Sequence, residues 1–462
     1  SRGLIIRWSR VRAPLAPPPG FCSRHGAGGL LDLKILVISQ YWRPDDGVVQ
    51  RRWEWFSEIL VAQGYDVDVL APPPRHGSSD VFDTFRVFKR PTSRVEIGIC
   101  GEKIFRTPGF QPRSKLTARA MNQILVAVGQ ISTALRLRYS DLYARPDVVI
   151  GTVPALPTAF SSLLIARIFG SPLIIDLRDA WPDLFSEHYE WERALGQIKP
   201  ENRRNSGLKE LAIRGISRSF EHAVGKAERL IVTSAFLADS INSKMVKSEL
   251  SQERAVVVRN VFPPKLKFHK VSTSKSPSTL KVLYAGTIGR AQNLANVVRA
   301  VDIARHCGVD IDLKLVGSGA GKPFVSELAQ SLGVNLQLNS RVSPSNMEEL
   351  YTWADVCLVH LTDWDPLQRT VPSKTYELMS VGMFIIAVAS GETRRLVEEL
   401  GAGQCVNPES PWELAEALVS LARLEEVPVP DSSAARWVED QRTRVAPRNL
   451  VETVRTVARR ES

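Results

Sequence analysis

Two short runs concentrate the residue types able to do chemistry: Asp176-Leu177-Arg178-Asp179-Ala180-Trp181-Pro182 and Pro372-Ser373-Lys374-Thr375-Tyr376-Glu377. Each follows a strand-like stretch or opens a helix-like one, where open α/β sheets collect ligands. Pro372 at or near the first helical position leaves the backbone donors around Ser373 free for a diphosphate. Lys374 adds charge beside them, and Glu377, about one turn further, offers a carboxylate for both hydroxyls of a ribose. An ordinary helix glutamate is the alternative. Asp176, Arg178 and Asp179 alternate in charge past a strand end, with Trp181 beside them. That pattern suits either a structural hydrogen-bonded network or a surface holding an acceptor hydroxyl.

Further candidates sit in loops. Tyr41-Trp42-Arg43-Pro44-Asp45-Asp46-Gly47 feeds a helix N-terminus whose free N–H groups suit an anion, and Gly47 lets a phosphate approach the backbone. Arg51 and Arg52 add charge one turn on; an ordinary surface loop is the other reading. Gly286-Thr287-Ile288-Gly289-Arg290 likewise follows a strand and ends on a permanent cation able to hold two phosphate oxygens. Gly317-Ser318-Gly319-Ala320-Gly321-Lys322 resembles a phosphate loop but fails the pattern at Val316, and fails the dinucleotide fingerprint at Lys322. It reads as a tight strand-to-helix turn. His188 and His360 are lone histidines, and no metal-ligand grouping stands out; Asp363-Trp364-Asp365 qualifies only superficially.

The elements that must position these residues alternate. Strand Lys34 to Ser39, a helix through Ala62 stopped by Gly64, and strand Asp66 to Ala71 form the first β-α-β unit. Strands Asp147 to Ile150, Leu173 to Asp176, Leu230 to Thr233 and Val256 to Val258, with helices Ala155 to Phe169 and Leu208 to Lys226 between them, complete one parallel sheet. After the polar stretch Phe262 to Ser278, the strand Leu280 to Ala285 starts a second series, running through strands near Ile311, Val334, Val356 and Phe384 to a helix ending at Arg423. A last helical segment beyond Pro430 crosses back toward the first unit.

The chain has 462 residues, more than one core usually serves at about 150 residues per domain, and two units are expected. Of the net charge of +11, nearly half comes from arginines in an acid-free opening segment. A second basic stretch runs through Arg86, Lys89, Arg90, Arg94, Lys103, Arg106, Arg113, Lys115 and Arg119 against Glu96 and Glu102. Such a stripe attracts phosphates, whether on nucleic acid, anionic lipid or a sugar nucleotide, or is simply solvated. Next to it, Leu116, Ala120, Ile124, Leu125, Val128, Ile131 and Leu135 recur at helical spacing. Such a helix lies on an anionic bilayer or packs on its own sheet. The cysteines are five, scattered and without a C-x-x-C pair, which speaks against zinc or a disulfide framework and for a reducing compartment. The most apolar stretch, Leu156 to Leu177, is interrupted by Arg167, Gly170 and Pro172, so it is no clean membrane span.

Taken together, Leu36-to-Gly47, the D-L-R-D-x-W-P run, Tyr284-to-Arg290, Val371-to-Glu377 and Gly391-Glu392-Thr393 resemble the retaining family-4 glycosyltransferases of the GT-B fold, bacterial surface-polysaccharide branch. The resemblance implies an α/β protein with two doubly wound Rossmann-like domains facing across a cleft and a C-terminal helix crossing back. Residues 1–32 would be an extension, 33–262 the acceptor domain, 263–430 the donor domain and 431–462 the crossover. The activity implied is retaining, metal-independent transfer of a hexose or N-acetylhexosamine from a nucleotide-diphosphate sugar, such as a UDP-sugar, to a lipid-linked or saccharide acceptor. A cytoplasmic enzyme, peripheral on the inner face of the cell membrane, needing neither cofactor nor nucleic acid, is expected. Arg290, Lys374 and Asp179 would be catalytic. Gly47, Gly289, Arg290, Arg341, Val342, Pro372, Ser373, Lys374 and Glu377 would bind donor, and Asp176, Arg178 and Trp181 the acceptor. Two departures stand out: Arg369 occupies the position of a common acid eight residues before Glu377, and Ala291-Gln292-Asn293 lacks a common lysine, for which Lys374 substitutes. A sugar-nucleotide epimerase and a non-catalytic sugar-nucleotide-binding relative remain the alternatives.

Overall fold

The computed structural model describes residues 33–74, 95–108, 116–180, 183, 206–246, 253–264, 268–270 and 279–459, with the side chains of 116–119, 206–213, 244–246 and 344–345 left aside. The first domain comprises β1 (Lys34–Ile38), α1 (Val48–Ala62), β2 (Asp66–Ala71), β3 (Val95–Ile97), β4 (Lys103–Arg106), α2 (Leu116–Arg138), β5 (Val148–Val153), α3 (Pro157–Phe169), β6 (Leu173–Leu177), α4 (Ser206–Gly225), β7 (Arg229–Val232), α5 (Ala235–Val246) and β8 (Ala255–Val257). Its sheet is ordered β3-β4-β2-β1-β5-β6-β7-β8. The central strands are Val/Ile/Leu runs buried throughout β5 and β6, as a parallel sheet covered on both faces requires.

One sequence expectation needs correction. The sheet is not wholly parallel, because β3 pairs antiparallel with β4 at its edge. β3 is three residues long and exposed throughout, so no buried periodicity marks it. This hairpin comes from the segment read as an open basic stripe, yet Lys103 pairs with Asp66 at 2.8 Å and Arg106 with Glu96 at 2.7 Å. Most of that stripe's other residues lie outside the described ones, as do residues 1–32.

The second domain follows: β9 (Thr279–Thr287), α6 (Ala295–His306), β10 (Asp310–Ser318), α7 (Lys322–Leu332), β11 (Leu336–Asn339), α8 (Pro344–Trp353), β12 (Val356–His360), α9 (Asp365–Gln368), α10 (Ser373–Val381), β13 (Ile385–Val388), α11 (Gly391–Glu399), β14 (Gly403–Val406) and α12 (Pro411–Arg423). Its parallel sheet is ordered β11-β10-β9-β12-β13-β14, the same doubly wound pattern. The half-exposed edge strand β14 and the one-turn α9 were not anticipated. Helix α13 (Ser432–Asp440) packs on α10, and a single wide turn over Gln441–Val445 leads to α14 (Ala446–Ala458). Leu450, Val451, Val454 and Val457 put the buried face of α14 at helical spacing, and the helix returns to the first domain. There Asn449 donates to the Val257 carbonyl at 2.9 Å and Arg455 to the Tyr65 hydroxyl at 2.6 Å.

A buried seam joins the two domains. Glu392, in the first turn of α11 and fully buried, accepts from the backbone N–H groups of Ala235 (3.0 Å) and Phe236 (2.7 Å) at the start of α5, and from Arg259. Arg259 Nη1 also donates to the Tyr376 hydroxyl on α10 at 3.2 Å. Replacing Glu392 with alanine strands a buried guanidinium and two helix-terminal N–H groups, so it should cost on the order of 3–5 kcal/mol in denaturant unfolding. A double-mutant cycle with Arg259→Met should recover part of that loss. A cost under about 1 kcal/mol would mean the seam is solvated and weak.

Candidate active site

Between the C-terminal strand ends of the two sheets lies a cavity of about 760 Å³. Both walls sit beside the positions where strand order reverses, between β1 and β5 and between β9 and β12, the usual ligand crevice of doubly wound sheets.

The second-domain wall carries Pro372, Ser373, Lys374 and Glu377, with Arg341 and Val342 nearby in the lining. Pro372 is the N-cap of α10, so the first-turn amides of Ser373 and Lys374 point out of the helix end. Glu377 Oε1 accepts from the Tyr351 hydroxyl at 2.7 Å and from Lys374 Nζ at 2.9 Å, while Oε2 takes part in neither bond. Burial alone would raise the Glu377 pKa; Lys374, Tyr351 and Arg51 outweigh it and hold the carboxyl below its ordinary range. Tyr351 was missed in the sequence because it lies on α8, outside every motif, and only the fold brings it to Glu377. Lys374 is therefore paired rather than standing alone beside the amides.

The turns above β9 and β10 meet closely. A Cβ on Gly317 would sit 1.8 Å from the Gly286 carbonyl oxygen, and one on Gly319 would sit 2.0 Å from that of Ile288. Gly317 lets the paired ends of β9 and β10 lie close and Gly319 the turns just beyond them, a tight turn rather than a phosphate cradle. Ala291 and Gln292 of the short 3-10 turn line the cavity, whereas Gly289 and Arg290 stand beside it and outside its lining. Arg290 Nε is buried without a hydrogen-bond partner.

On the first-domain wall, Gly47 caps α1 with an extended backbone any residue adopts. An added Cβ would meet only the flexible end of Gln50, so what glycine provides is open space over the helix end. Arg51 lines the cavity and stacks its guanidinium 4.8 Å from the Phe262 ring centroid. Arg52, grouped with it in the sequence, is instead fully buried. So is Asp176, and the expectation that it binds an acceptor is corrected here: its carboxylate accepts from Arg52 Nη2 (2.9 Å), Trp53 Nε1 (3.2 Å) and Thr152 Oγ1 (3.0 Å). It is a core anion, not a ligand group. Arg178 and Asp179 do line the cavity, and burial pushes the Asp179 carboxyl up despite the neighbouring Arg178. Trp181 and His188 lie outside the described residues.

Arg369 is occupied structurally, pairing with Asp183 across the domain boundary at 2.6 Å and with Asp365 at 2.9 Å. Among the described residues, no group of three or more His, Cys, Asp or Glu could hold a metal ion, and no helix is long and apolar enough to cross a membrane. Cys100, Cys307, Cys357 and Cys405 are unpaired.

Two doubly wound domains, a cleft at their switch points and a C-terminal helix that recrosses define the GT-B architecture. Residues 279–423 match the family model described as Glycosyl transferases group 1. Over 405 residues the chain is 25% identical to the putative colanic acid biosynthesis glycosyl transferase WcaI of Escherichia coli (strain K12), covering 85% of this chain and 91% of that protein. In structure it resembles Anabaena HepE in complex with UDP-glucose (TM-score 0.56, 16% identity, covering 92% and 100% of the two chains). It also resembles WaaG, a glycosyltransferase involved in lipopolysaccharide biosynthesis (TM-score 0.54, 14% identity, covering 92% and 99%). The family match thus falls on the second domain of a chain with the GT-B fold.

His360 also lines the cavity, with Nε2 3.0 Å from Asn296 Nδ2, and burial lowers its pKa to about 3. Because the unfolded chain titrates this histidine near the ordinary 6.5, the stability contributed by neutral His360 is complete above about pH 6.5 and is lost as pH falls toward about 3. In His360→Gln, the fall in unfolding free energy between about pH 6 and pH 4 should flatten by a few kcal/mol at most. An unchanged slope would show that His360 is not held neutral.

Proposed function

We propose that the protein is a retaining, metal-independent glycosyltransferase of surface-polysaccharide synthesis, moving a hexose or N-acetylhexosamine from a nucleoside diphosphate sugar to a lipid-linked or saccharide acceptor. The observation carrying this reading is that Glu377 and the N-terminus of α10 share one wall of the cavity, opposite Gly47 at the N-terminus of α1. Glu377 takes the ribose hydroxyls, the backbone around Arg341 and Val342 faces the base, and the two helix ends hold the diphosphate. Negative charge grows on the diphosphate as the glycosidic bond breaks. Preorganised amides and Lys374 stabilise that charge more in the transition state than in the ground state. Arg290 joins them on rotation of its side chain. Asp179, its carboxyl raised by burial, is the first-wall group suited to accept a proton from the incoming hydroxyl. The chemistry asks for no cofactor, and the cleft between domains excludes water from the bond being broken.

Support for the donor class comes from HepE, solved with UDP-glucose, and for the pathway class from WcaI and WaaG. A panel of UDP- and GDP-sugars should raise the melting temperature by several degrees for one base. Glu377→Gln should weaken that nucleotide at least tenfold, and NMR of the product should show the donor's anomeric configuration kept. Nucleotide binding lost equally for every sugar, or an epimer formed without acceptor, would sink the reading.

We further propose a seat on an anionic membrane face. One side of α2, including Val126, Gln130, Ala134 and Leu137, packs into the domain. The other leaves Met121 (56%), Ile124 (49%), Leu125 (44%) and Val128 (50%) exposed in a stripe, continued by Phe160 and Leu164 on the neighbouring α3. Leu125→Glu with Val128→Glu should lower co-sedimentation with anionic liposomes at least tenfold, given roughly 1.5–3 kcal/mol per fully buried apolar side chain. Equal sedimentation with and without anionic lipid would remove the claim.

A further inference from the structure

The first-domain wall holds a buried cation whose donors are not all taken up. Arg178 leaves the end of β6 at 7% exposure and lines the cavity, yet its Nε and Nη1 meet no acceptor. Among the described residues it enters no ion pair. Its two neighbouring acids are not available to it in full. Asp176 is committed to Arg52, Trp53 and Thr152, and Asp179, beside Arg178 in the lining, makes no hydrogen bond to it among the described residues. Burial lowers the Arg178 pKa only to about 10, so the guanidinium stays charged at neutral pH. A buried guanidinium with two nitrogens lacking acceptors is unfavourable even beside carboxylates, and a ligand in the cavity is the remaining source of those acceptors.

The donor diphosphate already has its seat at the two helix ends and Lys374, all reached without Arg178. We infer that Arg178 anchors a second anionic subsite in the first-domain wall, which takes a carboxylate or phosphate borne by one of the two sugars that meet in the cleft. This rests on the transferase reading above and narrows its substrates: either the transferred sugar is a uronic acid, or the acceptor carries its charge close to the accepting hydroxyl. A planar guanidinium matches both oxyanions through paired N–H donors.

Isothermal titration of the full chain separates the two sources. One arm compares UDP-glucuronic acid with UDP-glucose. The other compares glucose 1-phosphate with glucose on protein saturated with UDP, and both arms use GDP counterparts if UDP does not bind. In one arm the anionic probe should bind at least tenfold tighter than its neutral partner. Arg178→Gln should erase that advantage while leaving UDP or GDP alone within about twofold, and Arg178→Lys should restore part of it. Unliganded Arg178→Gln should melt no lower than the parent, since it removes an unpartnered buried charge. The inference is overturned if neither arm shows an anionic advantage, if Arg178→Gln weakens the bare nucleotide equally, or if it lowers the melting temperature without any ligand-specific effect. Failure of both nucleotides to bind the parent sinks the transferase reading first and this subsite with it; nucleotide binding without an anionic advantage sinks the subsite alone.

Discussion

The buried pair of Arg52 and Asp176 is the contact on which the first wall of the cleft depends. Both side chains are wholly enclosed, so the attraction between them must offset the loss of two hydration shells, and it does so only because nearly every remaining donor and acceptor is satisfied. Thr152 at the end of β5 and Trp53 on α1 complete the carboxylate. Arg52 Nη1 reaches past it to the Val258 carbonyl (2.9 Å) and the Asn260 side chain (3.0 Å) beyond β8. One ion pair therefore fixes the start of α1, the ends of β5 and β6 and the exit of the chain from the domain. Gly47, Arg178 and Asn260 line the cavity in register because their neighbours share that pair.

The seam around Glu392 carries this order across to the second domain. Arg259 follows directly on the carbonyl that Arg52 holds, and its guanidinium contacts both Glu392 and Tyr376, the latter one residue before Glu377. A buried carboxylate capping α5 from the opposite domain places the negative charge where the helix end is positive. With α14 recrossing and Arg369 pairing with Asp183, the domains are tethered at several places.

Much of this was legible in the residue order and some was not, for physical reasons. Runs such as Lys34–Ile38 and Val148–Val153, the second flanked by Pro146 and Pro154, announce buried parallel strands because both faces must be apolar. The edge elements β3 and β14 are short and half-solvated, so burial leaves no pattern on them. Asp176 looked like a ligand because a charge at a strand end usually is exposed to one. Nothing local reveals that Arg52, 124 positions earlier, is turned inward to meet it. Tyr351 was hidden likewise, as was the role of Glu392 in its motif, since both roles exist only between elements distant in sequence. The motif residues Pro372 to Glu377 were readable because a helix start, with its free donors, is a local property.

Arg369 shows how a change of charge is absorbed. Where an acid would face Asp183 and Asp365 as a third negative group, the guanidinium neutralises both, one in each domain, and its own carbonyl accepts from Ser234 at the start of α5. Arg369 thus serves the interdomain contact and stays outside the cavity lining. Glu377 remains the acid of the second wall, and Arg178 stands on the first with two nitrogens lacking acceptors. An arginine in place of an acid at this position makes the surroundings of the cleft less negative. Electrostatics alone dictates that direction, because each missing carboxylate lowers the repulsion an incoming carboxylate or phosphate must overcome.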